Sequence, residues 1–219
     1  KIKGYRLNTE PTLVTFEGTT LYEGTNYNLD FKPLSSSYWA QDLTFSASLE
    51  SLTTDVGVDL SSSTCSFVPA RYGLGLECNA DSEEARFDTY PHVDFAKGAI
   101  EFWLRPATDH TDSTNRYYFR SINLPDEFQL YKNTSNDLLF YINDGTNSFT
   151  ETVTSSNYSW SAGDWIHIRV EWNDSDPSPY TNQQKIFING VEPTHTDSTG
   201  DYDSSLVNSV QAFRLGLET

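Results

Sequence analysis

The sequence predicts an all-β fold, an antiparallel β-sandwich, and three observations carry this prediction. Apolar and polar residues alternate along short segments, which is the period of a strand with one buried face. Asn189-Gly190 and Asp144-Gly145 are dipeptides that favour tight hairpin turns. No segment shows a convincing helical period of 3.6 residues. Regular strands separated by Asx- and Gly-containing turns are typical of such a sandwich.

The clearest strand follows Trp165, where four apolar residues alternate with three polar ones: Ile166, Ile168, Val170 and Trp172 with His167, Arg169 and Glu171. A second clear strand spans 98–105, with Ile100, Phe102 and Leu104 predicted to point inward and Glu101, Trp103 and Arg105 outward. The same criteria predict further strands, in chain order, within a hairpin at 64–80 and at 85–88, 116–122, 127–131, 137–143, 148–154, 185–188 and 212–217.

The first 62 residues lack this regularity. We interpret 1–62 as an irregular N-terminal arm with short strands that completes or decorates the sandwich, and 63–219 as the sandwich core, a single domain overall. The chain begins at Lys1 and contains no Met. We therefore expect it to be a fragment or processed part of a longer protein.

Charge and hydropathy exclude two classes of partner. The 219 residues carry a net charge of −17, and binding to phosphate backbones needs Lys and Arg, so the sequence predicts no general nucleic-acid binding. No apolar run approaches the ~18 residues of a membrane-spanning helix, so we expect no membrane insertion. The high charge suits a protein outside the cell.

The two cysteines flank a turn-like centre, residues 69–73. Folding this stretch as a hairpin about Arg71 and Tyr72 places Cys65 opposite Cys78, on one face with Phe67 and Leu76. This arrangement allows a disulfide, while two small buried thiols are the alternative. A bridge would indicate an oxidising compartment.

Three short motifs occur in a characteristic order. They are Tyr-Gly-Leu-Gly-Leu at 72–76, Lys-Gly-Ala-Ile-Glu-Phe-Trp-Leu-Arg-Pro at 97–106, and the segment from Trp160 through Gly163-Asp164-Trp165 to Asn189-Gly190. Over roughly residues 67 to 217 the chain resembles the concanavalin A-like, laminin G-like jelly-roll family. That resemblance implies a jelly-roll sandwich, and the family includes lectins, adhesion modules, hydrolases and lyases.

Five outward residues of the two clearest strands form the candidate ligand site: Glu101, Trp103, Arg105, His167 and Arg169. One interpretation is a carbohydrate platform, with Trp103 stacking on sugar C–H groups and the charged groups binding hydroxyls. The alternative is a cross-strand ladder of opposite charges, which needs no ligand.

Calcium is the cofactor that the resemblance implies, because laminin G-like modules often hold one at the rim of the sandwich. The candidate ligands are Asp109, Asp112, Asp174 and Asp176, which lie in oxygen-rich loops. The alternative for these loops is solvated acidic surface.

The sequence favours a protein without catalytic activity. Glycoside hydrolases of this architecture carry an E-x-D-x-x-E strand, which does not occur here, and no G-x-S-x-G elbow is present. We predict a non-catalytic recognition or adhesion module that binds glycan or protein ligands outside the cell. One alternative is a structural component of an assembled particle, such as a phage or viral fibre, contacting other subunits at a virion or cell surface. A glycan-degrading enzyme of the same fold is a more remote alternative.

Overall fold

The computed structural model describes residues 60–78, 80, 83–87, 95–123, 126–174, 184–198 and 213–218. The chain divides into two units, Lys1–Asp42 and Leu43–Thr219, and every described residue belongs to the second. The predicted arm at 1–62 therefore lies outside the described residues except for its last three positions. Within the described ranges, no helix is long and apolar enough to cross a bilayer.

All the regular secondary structure of the described residues is β-strand. In chain order they are β1 (Leu60–Ser63), β2 (Ser66–Pro69), β3 (Leu74–Glu77), β4 (Ala85–Phe87), β5 (Lys97–Leu104), β6 (Arg116–Asn123), β7 (Asp126–Lys132), β8 (Leu138–Asp144), β9 (Ser148–Val153), β10 (Ile166–Asn173), β11 (Gln184–Ile188), β12 (Thr196–Asp197) and β13 (Phe213–Glu218).

These strands form three antiparallel sheets. The large sheet has the order β1-β4-β13-β6-β7-β8-β9-β12, the small sheet β11-β10-β5, and β2 and β3 form a separate hairpin. The two larger sheets share one aromatic core. The ring of Trp172 on β10 meets that of Phe128 on β7 at 5.1 Å, and the ring of Phe102 on β5 meets that of Phe119 on β6 at 6.4 Å. The predicted antiparallel β-sandwich is therefore confirmed.

The alternation read from the sequence is also confirmed. On β10 the four apolar side chains are buried, while Arg169 is exposed and its polar neighbours are partly exposed. On β5 the inward residues are partly buried, and Glu101 and Trp103 are exposed. The two short strands β1 and β12 were not individually predicted, because a polar Leu-Ser-Ser-Ser segment and a two-residue strand carry no periodicity.

The hairpin of β2 and β3 has the predicted register, with Phe67 opposite Leu76. Just beyond the paired residues, Cys65 and Cys78 are joined by a disulfide. The bridge lies against β13, where a Cβ at Gly216 would come within 2.4 Å of Cys78 Sγ. Gly216 also has a φ of +76°, a conformation that glycine adopts without strain. The disulfide thus fixes the base of the hairpin beside the large sheet.

A close contact between Gly98 and Trp172 joins β5 to β10. The two residues are register partners, and a Cβ built on Gly98 would lie 2.3 Å from Cζ2 of the indole. The indole itself is buried against the opposite sheet, so it has no room to move away. Residue 98 must therefore be glycine for Trp172 to keep its position.

We expect Gly98→Ala to lower the free energy of unfolding by about 1–3 kcal/mol, because the added methyl group overpacks a buried aromatic. Urea denaturation followed by tryptophan fluorescence measures this change. The matched control is Ala99→Ser, which adds one atom to the neighbouring exposed residue and should leave stability nearly unchanged. Equal stability losses in the two variants would contradict the prediction.

Candidate functional site

The small sheet brings four of the five predicted ligand residues together on its outer face. Its register places His167 opposite Trp103 and Arg169 opposite Glu101. Directly opposed side chains of antiparallel strands lie about 5 Å apart at Cβ, so these four form one continuous patch. We call these four residues the Trp103 face.

Trp103 is the central residue of this face, with 40% of its surface exposed. The guanidinium carbon of Arg71 lies 3.8 Å from the centroid of the Trp103 ring, a cation–π contact. The His167 ring lies beside the indole, with centroids 5.0 Å apart. Arg71 and the neighbouring Tyr72 come from the tip of the β2–β3 hairpin, which therefore borders the Trp103 face.

Arg71 and Tyr72 were not among the predicted site residues. Arg71 Nε donates a 3.4 Å hydrogen bond to the Tyr72 hydroxyl, and Tyr72 is 67% exposed. The signal that could have identified them is the Arg-Tyr pair at the centre of a turn. Sequence position alone gives no indication that this turn reaches the strand carrying Trp103.

The charged residues of the Trp103 face pair with one another or with immediate neighbours. His167 Nε2 lies 3.6 Å from the Glu101 carboxylate, and Arg169 forms an ion pair with Glu171 on its own strand. The Arg169 guanidinium also lies 5.3 Å from the Phe187 ring on β11. Only the Glu101–His167 pair crosses between strands as the predicted ladder requires, because Arg169 pairs along its own strand. Both pairs place polar groups on the same face as an exposed indole.

Arg105 lies one residue beyond β5 and contacts the turn that precedes β10. Its Nε donates a 3.1 Å hydrogen bond to the carbonyl of Gly163, and its guanidinium lies 6.0 Å from the Trp165 ring. Gly163 has a φ of +84°, which the turn requires. Arg105 thus anchors the turn ahead of β10 at one end of the Trp103 face.

The rim carboxylate Asp112 is held by two cations. Lys132 Nζ donates to Asp112, to the Thr114 carbonyl at 2.9 Å and to Asn136 Oδ1 at 3.2 Å, and the Lys132 side chain is 1% exposed. Arg116 Nη2 lies 2.6 Å from the same carboxylate. Burial would raise the pKa of Asp112, but the hydrogen bonds, of which that from Lys132 is the strongest, outweigh it and keep the pKa well below its usual value.

The two other metal candidates that the structure describes, Asp109 and Asp174, make hydrogen bonds within other loops. Asp109 Oδ1 accepts a 2.8 Å hydrogen bond from the Ala162 N–H, the Asp174 N–H donates to the Ala96 carbonyl, and Asp176 lies outside the described residues. In the part of the chain that the structure describes, no three His, Cys, Asp or Glu residues are placed to hold a metal ion. Calcium binding at these loops stays a prediction.

A buried acidic cluster joins the two sheets where β9 meets β11. Glu151 on β9 has no exposed surface, and its Oε1 accepts a 3.0 Å hydrogen bond from the Ile186 N–H of β11. In return, the Glu151 N–H donates a 3.3 Å hydrogen bond to the Gln184 side chain. These reciprocal bonds link the strands of the two sheets. Sequence analysis did not identify Glu151, because it occupies an inward position of β9 whose other inward residues, Phe149 and Val153, are apolar.

The charge state of Glu151 is set by its surroundings. Its pKa is raised to about 8, mainly because the carboxyl is buried; the Ile186 hydrogen bond and Lys185 oppose the rise, and Asp197 and Glu192 add to it. His195 also faces the carboxyl, with Nδ1 3.7 Å from Oε1. Burial likewise raises the pKa of Asp197, although His195 opposes this. The raised pKa of Glu151 therefore favours its protonated form at neutral pH.

Comparison with known proteins identifies the family. Residues 80–216, well over half of the chain, match the Laminin_G_3 family model, described as the concanavalin A-like lectin/glucanases superfamily. Among solved structures the chain is similar to the binding domain of botulinum neurotoxin serotype G, with 13% sequence identity and a TM-score of 0.48. That match covers 74% of this chain and 44% of the toxin domain's chain. No curated protein matches the sequence.

We expect Glu151→Gln to be more stable than the wild type near pH 8 and similar to it near pH 5. The folded-state pKa of about 8 lies above the ordinary value of 4.5, so the folded protein binds the extra proton between these values and the wild type loses stability as pH rises through them. Glutamine stays neutral and keeps an oxygen for the Ile186 N–H.

Denaturant midpoints of both proteins, measured at several pH values, give this difference. Glu77→Gln, a neutralising change at an exposed position, is the control and should show no such pH-dependent difference. A constant offset between Glu151→Gln and the wild type across this pH range would refute the raised pKa.

Proposed function

Because this chain belongs to the concanavalin A-like lectin/glucanase superfamily, we propose that it is a non-catalytic recognition module that binds a glycan on its Trp103 face. The observation that carries this proposal is the position of Trp103. A large aromatic side chain on the outer face of a sheet, partly exposed and flanked by fixed polar groups, is a suitable stacking surface for the C–H face of a sugar ring.

The contacts around Trp103 support a preformed binding surface. Arg71 and His167 restrain the indole from two directions, so little side-chain freedom would be lost when a ligand binds. The Glu101 and His167 side chains lie on the same face of the sheet as Trp103, where they can accept and donate hydrogen bonds to sugar hydroxyls. The charge ladder and the carbohydrate platform are then compatible uses of the same residues.

The proposal that the module is non-catalytic rests on the ion pairing and the burial of its carboxylates. On the outer face of the small sheet, Glu101 lies beside His167 and Glu171 pairs with Arg169. Glu151 is kept protonated to about pH 8, as a general acid would need to be, but it has no exposed surface and cannot reach a substrate. The acidic groups described at these places therefore suit binding and structure better than proton transfer.

The proposed location is outside the cell. The Cys65–Cys78 disulfide supports it, because such bridges persist mainly in oxidising compartments. The net charge of −17 is consistent with a soluble protein in a salt-containing medium.

We expect a glycan array to show binding that falls about tenfold or more in Trp103→Ala, because the stacking surface is lost. Trp103→Phe should retain part of the affinity, since a smaller ring remains. Val191→Ala, which alters a 66% exposed apolar residue elsewhere, is the control and should bind like the wild type. Unfolding curves of each variant show whether the fold is intact.

The array is run with calcium and again with a chelator. Binding that needs calcium and ignores Trp103 would overturn the proposed site and point to the loops at Asp109, Asp112 and Asp174. A folded wild-type protein that binds nothing on the array would overturn the glycan proposal and favour a protein partner or a place in an assembled particle.

A further inference from the structure

The tip of the β2–β3 hairpin places an exposed arginine, Arg71, beside the Trp103 face. The tip is the loop 70–73 between the two strands, and the Ala70 N–H closes it with a 3.0 Å hydrogen bond to the Gly73 carbonyl. This bond restricts the hairpin at its tip, and the disulfide restricts it at its base. Arg71 is therefore carried by a closed turn.

Two aromatic side chains hold the Arg71 guanidinium. Its carbon atom lies 3.8 Å from the centroid of the Trp103 ring and 5.7 Å from that of the Tyr72 ring. Arg71 Nε donates a 3.4 Å hydrogen bond to the Tyr72 hydroxyl. Contacts of this kind orient the planar guanidinium, and they leave its positive charge without a counter-ion.

The two terminal nitrogens of Arg71, Nη1 and Nη2, form no hydrogen bond or ion pair with any residue that the structure describes. The side chain is exposed, so these nitrogens can be reached from solvent. Other arginines nearby are engaged: Arg169 pairs with Glu171, and Arg105 donates to the Gly163 carbonyl. Arg71 thus offers two free donors in a chain that has 31 Asp and Glu residues against 14 Lys and Arg.

The nearest acidic group of the Trp103 face is engaged elsewhere. Glu101 lies two positions before Trp103 on β5, and its Oε2 is 3.6 Å from His167 Nε2. No ion pair joins it to Arg71 within the described ranges. The side of the face next to the hairpin tip therefore carries a positive charge that the protein itself does not neutralise.

Exposed aromatic surface surrounds this free cation. Tyr72 is 67% exposed, and Trp103 is 40% exposed even with Arg71 in contact with its ring. A guanidinium pairs with a carboxylate through two parallel N–H···O bonds, and an aromatic ring packs against apolar C–H groups. An inorganic anion would use only the cation, and a neutral sugar only the rings. A sugar that carries a carboxylate uses both.

We propose that the Trp103 face selects acidic glycans, with the carboxylate of a uronate-type sugar bound by Nη1 and Nη2 of Arg71 and the sugar C–H groups packed on the exposed rings. This assignment rests on the proposed glycan-binding function and adds the chemical class of the ligand. Trp103 supplies the surface that neutral and acidic sugars share, and Arg71 determines the preference for the acidic ones.

The test uses an array of short oligomers of galacturonate, glucuronate, mannuronate and guluronate, each printed beside its carboxyl-reduced, neutral form. Calorimetry with the 219-residue chain then measures both members of the pair that binds best. We expect the wild type to bind the acidic member about tenfold or more tightly than the neutral one. Arg71→Gln should lower the affinity for the acidic member to that for the neutral member. Arg71→Lys should keep part of the preference, because it retains the charge without the planar pair of donors.

Lys97→Gln is the matched control for loss of a positive charge. Lys97 is exposed and begins β5, whereas Trp103 lies near the other end of that strand. The separation is roughly 20 Å, well beyond the screening length of about 8 Å at physiological salt. Lys97→Gln should therefore keep the preference for the acidic member. Unfolding curves establish that each variant is folded.

Trp103→Ala separates the failure of this proposal from the failure of the proposed function. Equal binding of acidic and neutral members, lost for both in Trp103→Ala, would overturn the acidic preference and leave the glycan site in place. A preference that is unchanged in Arg71→Gln, or that is lost equally in Lys97→Gln, would also overturn it. So would polyglutamate that competes as well as the acidic oligomer does. A folded wild type that binds no sugar of either kind would overturn the glycan proposal itself, and the acidic preference with it.

Discussion

The packing of Trp172 between the two sheets is the constraint on which the rest of the structure depends. Its indole lies against Gly98 of the neighbouring strand and meets the rings of Phe128 and Phe140 on the opposite sheet at 5.1 and 6.3 Å. Strand side chains alternate, so a one-residue slip would move every apolar residue of β10 into solvent. With Trp172 inside, His167 and Arg169 must point outward. The register then places Trp103 and Glu101 beside them, so one core residue determines which side chains form the Trp103 face.

The hairpin that borders this face is held mainly at its base. A disulfide closing a loop of this size contributes roughly 2–4 kcal/mol, whereas one cation–π contact contributes about 0.5–2 kcal/mol depending on its exposure. The Cys65–Cys78 bridge beside Gly216 therefore orders the hairpin, and the contact between Arg71 and Trp103 positions the tip of the hairpin with a smaller contribution. The tip can consequently accommodate a ligand at modest cost, while the base stays anchored to the large sheet.

Most of the fold could be predicted from the sequence because its strands obey a local rule. Alternation in β5 and β10, the turn at Asn189-Gly190 and the register of the cysteine hairpin each depend on residues close together in the chain. The contact of Arg71 with Trp103 joins residues far apart in the chain, since it requires the hairpin to lie next to the small sheet. Likewise, the large sheet places β13 between two strands far earlier in the chain, and no local pattern encodes that order. The placement of Arg86, Arg214 and Arg120 side by side could therefore not be predicted before the register was known.

The same limit applies to the charged groups. Asp112 belongs to an oxygen-rich loop, the composition that suggests calcium, but Lys132 from β7 occupies its carboxylate. Glu151 sits at an inward position where only an apolar residue would be expected, and it is tolerated because it is protonated and bonded to the backbone of β11. In both cases the partner comes from a different strand. Sequence alone identifies the ionisable residue and the segment that carries it. Its protonation and function depend on the charged groups and hydrogen-bond donors of another strand, here Lys132 for Asp112 and the Ile186 N–H for Glu151.

The overall charge of the protein limits how an acidic ligand could be recognised. A net charge of −17 repels an anionic chain at long range, and the screening length at physiological salt is about 8 Å, so attraction can act only close to the surface. Arg120 is a cation held in this way, because its guanidinium carbon lies 4.5 Å from the centroid of the half-buried Tyr117 ring. Lysines spread over the surface would attract an anionic chain less well, since their contacts would be weakened by salt and offset by nearby carboxylates. An acidic protein that recognised an anionic ligand would therefore depend on the fixed geometry of a few arginines and not on its overall field.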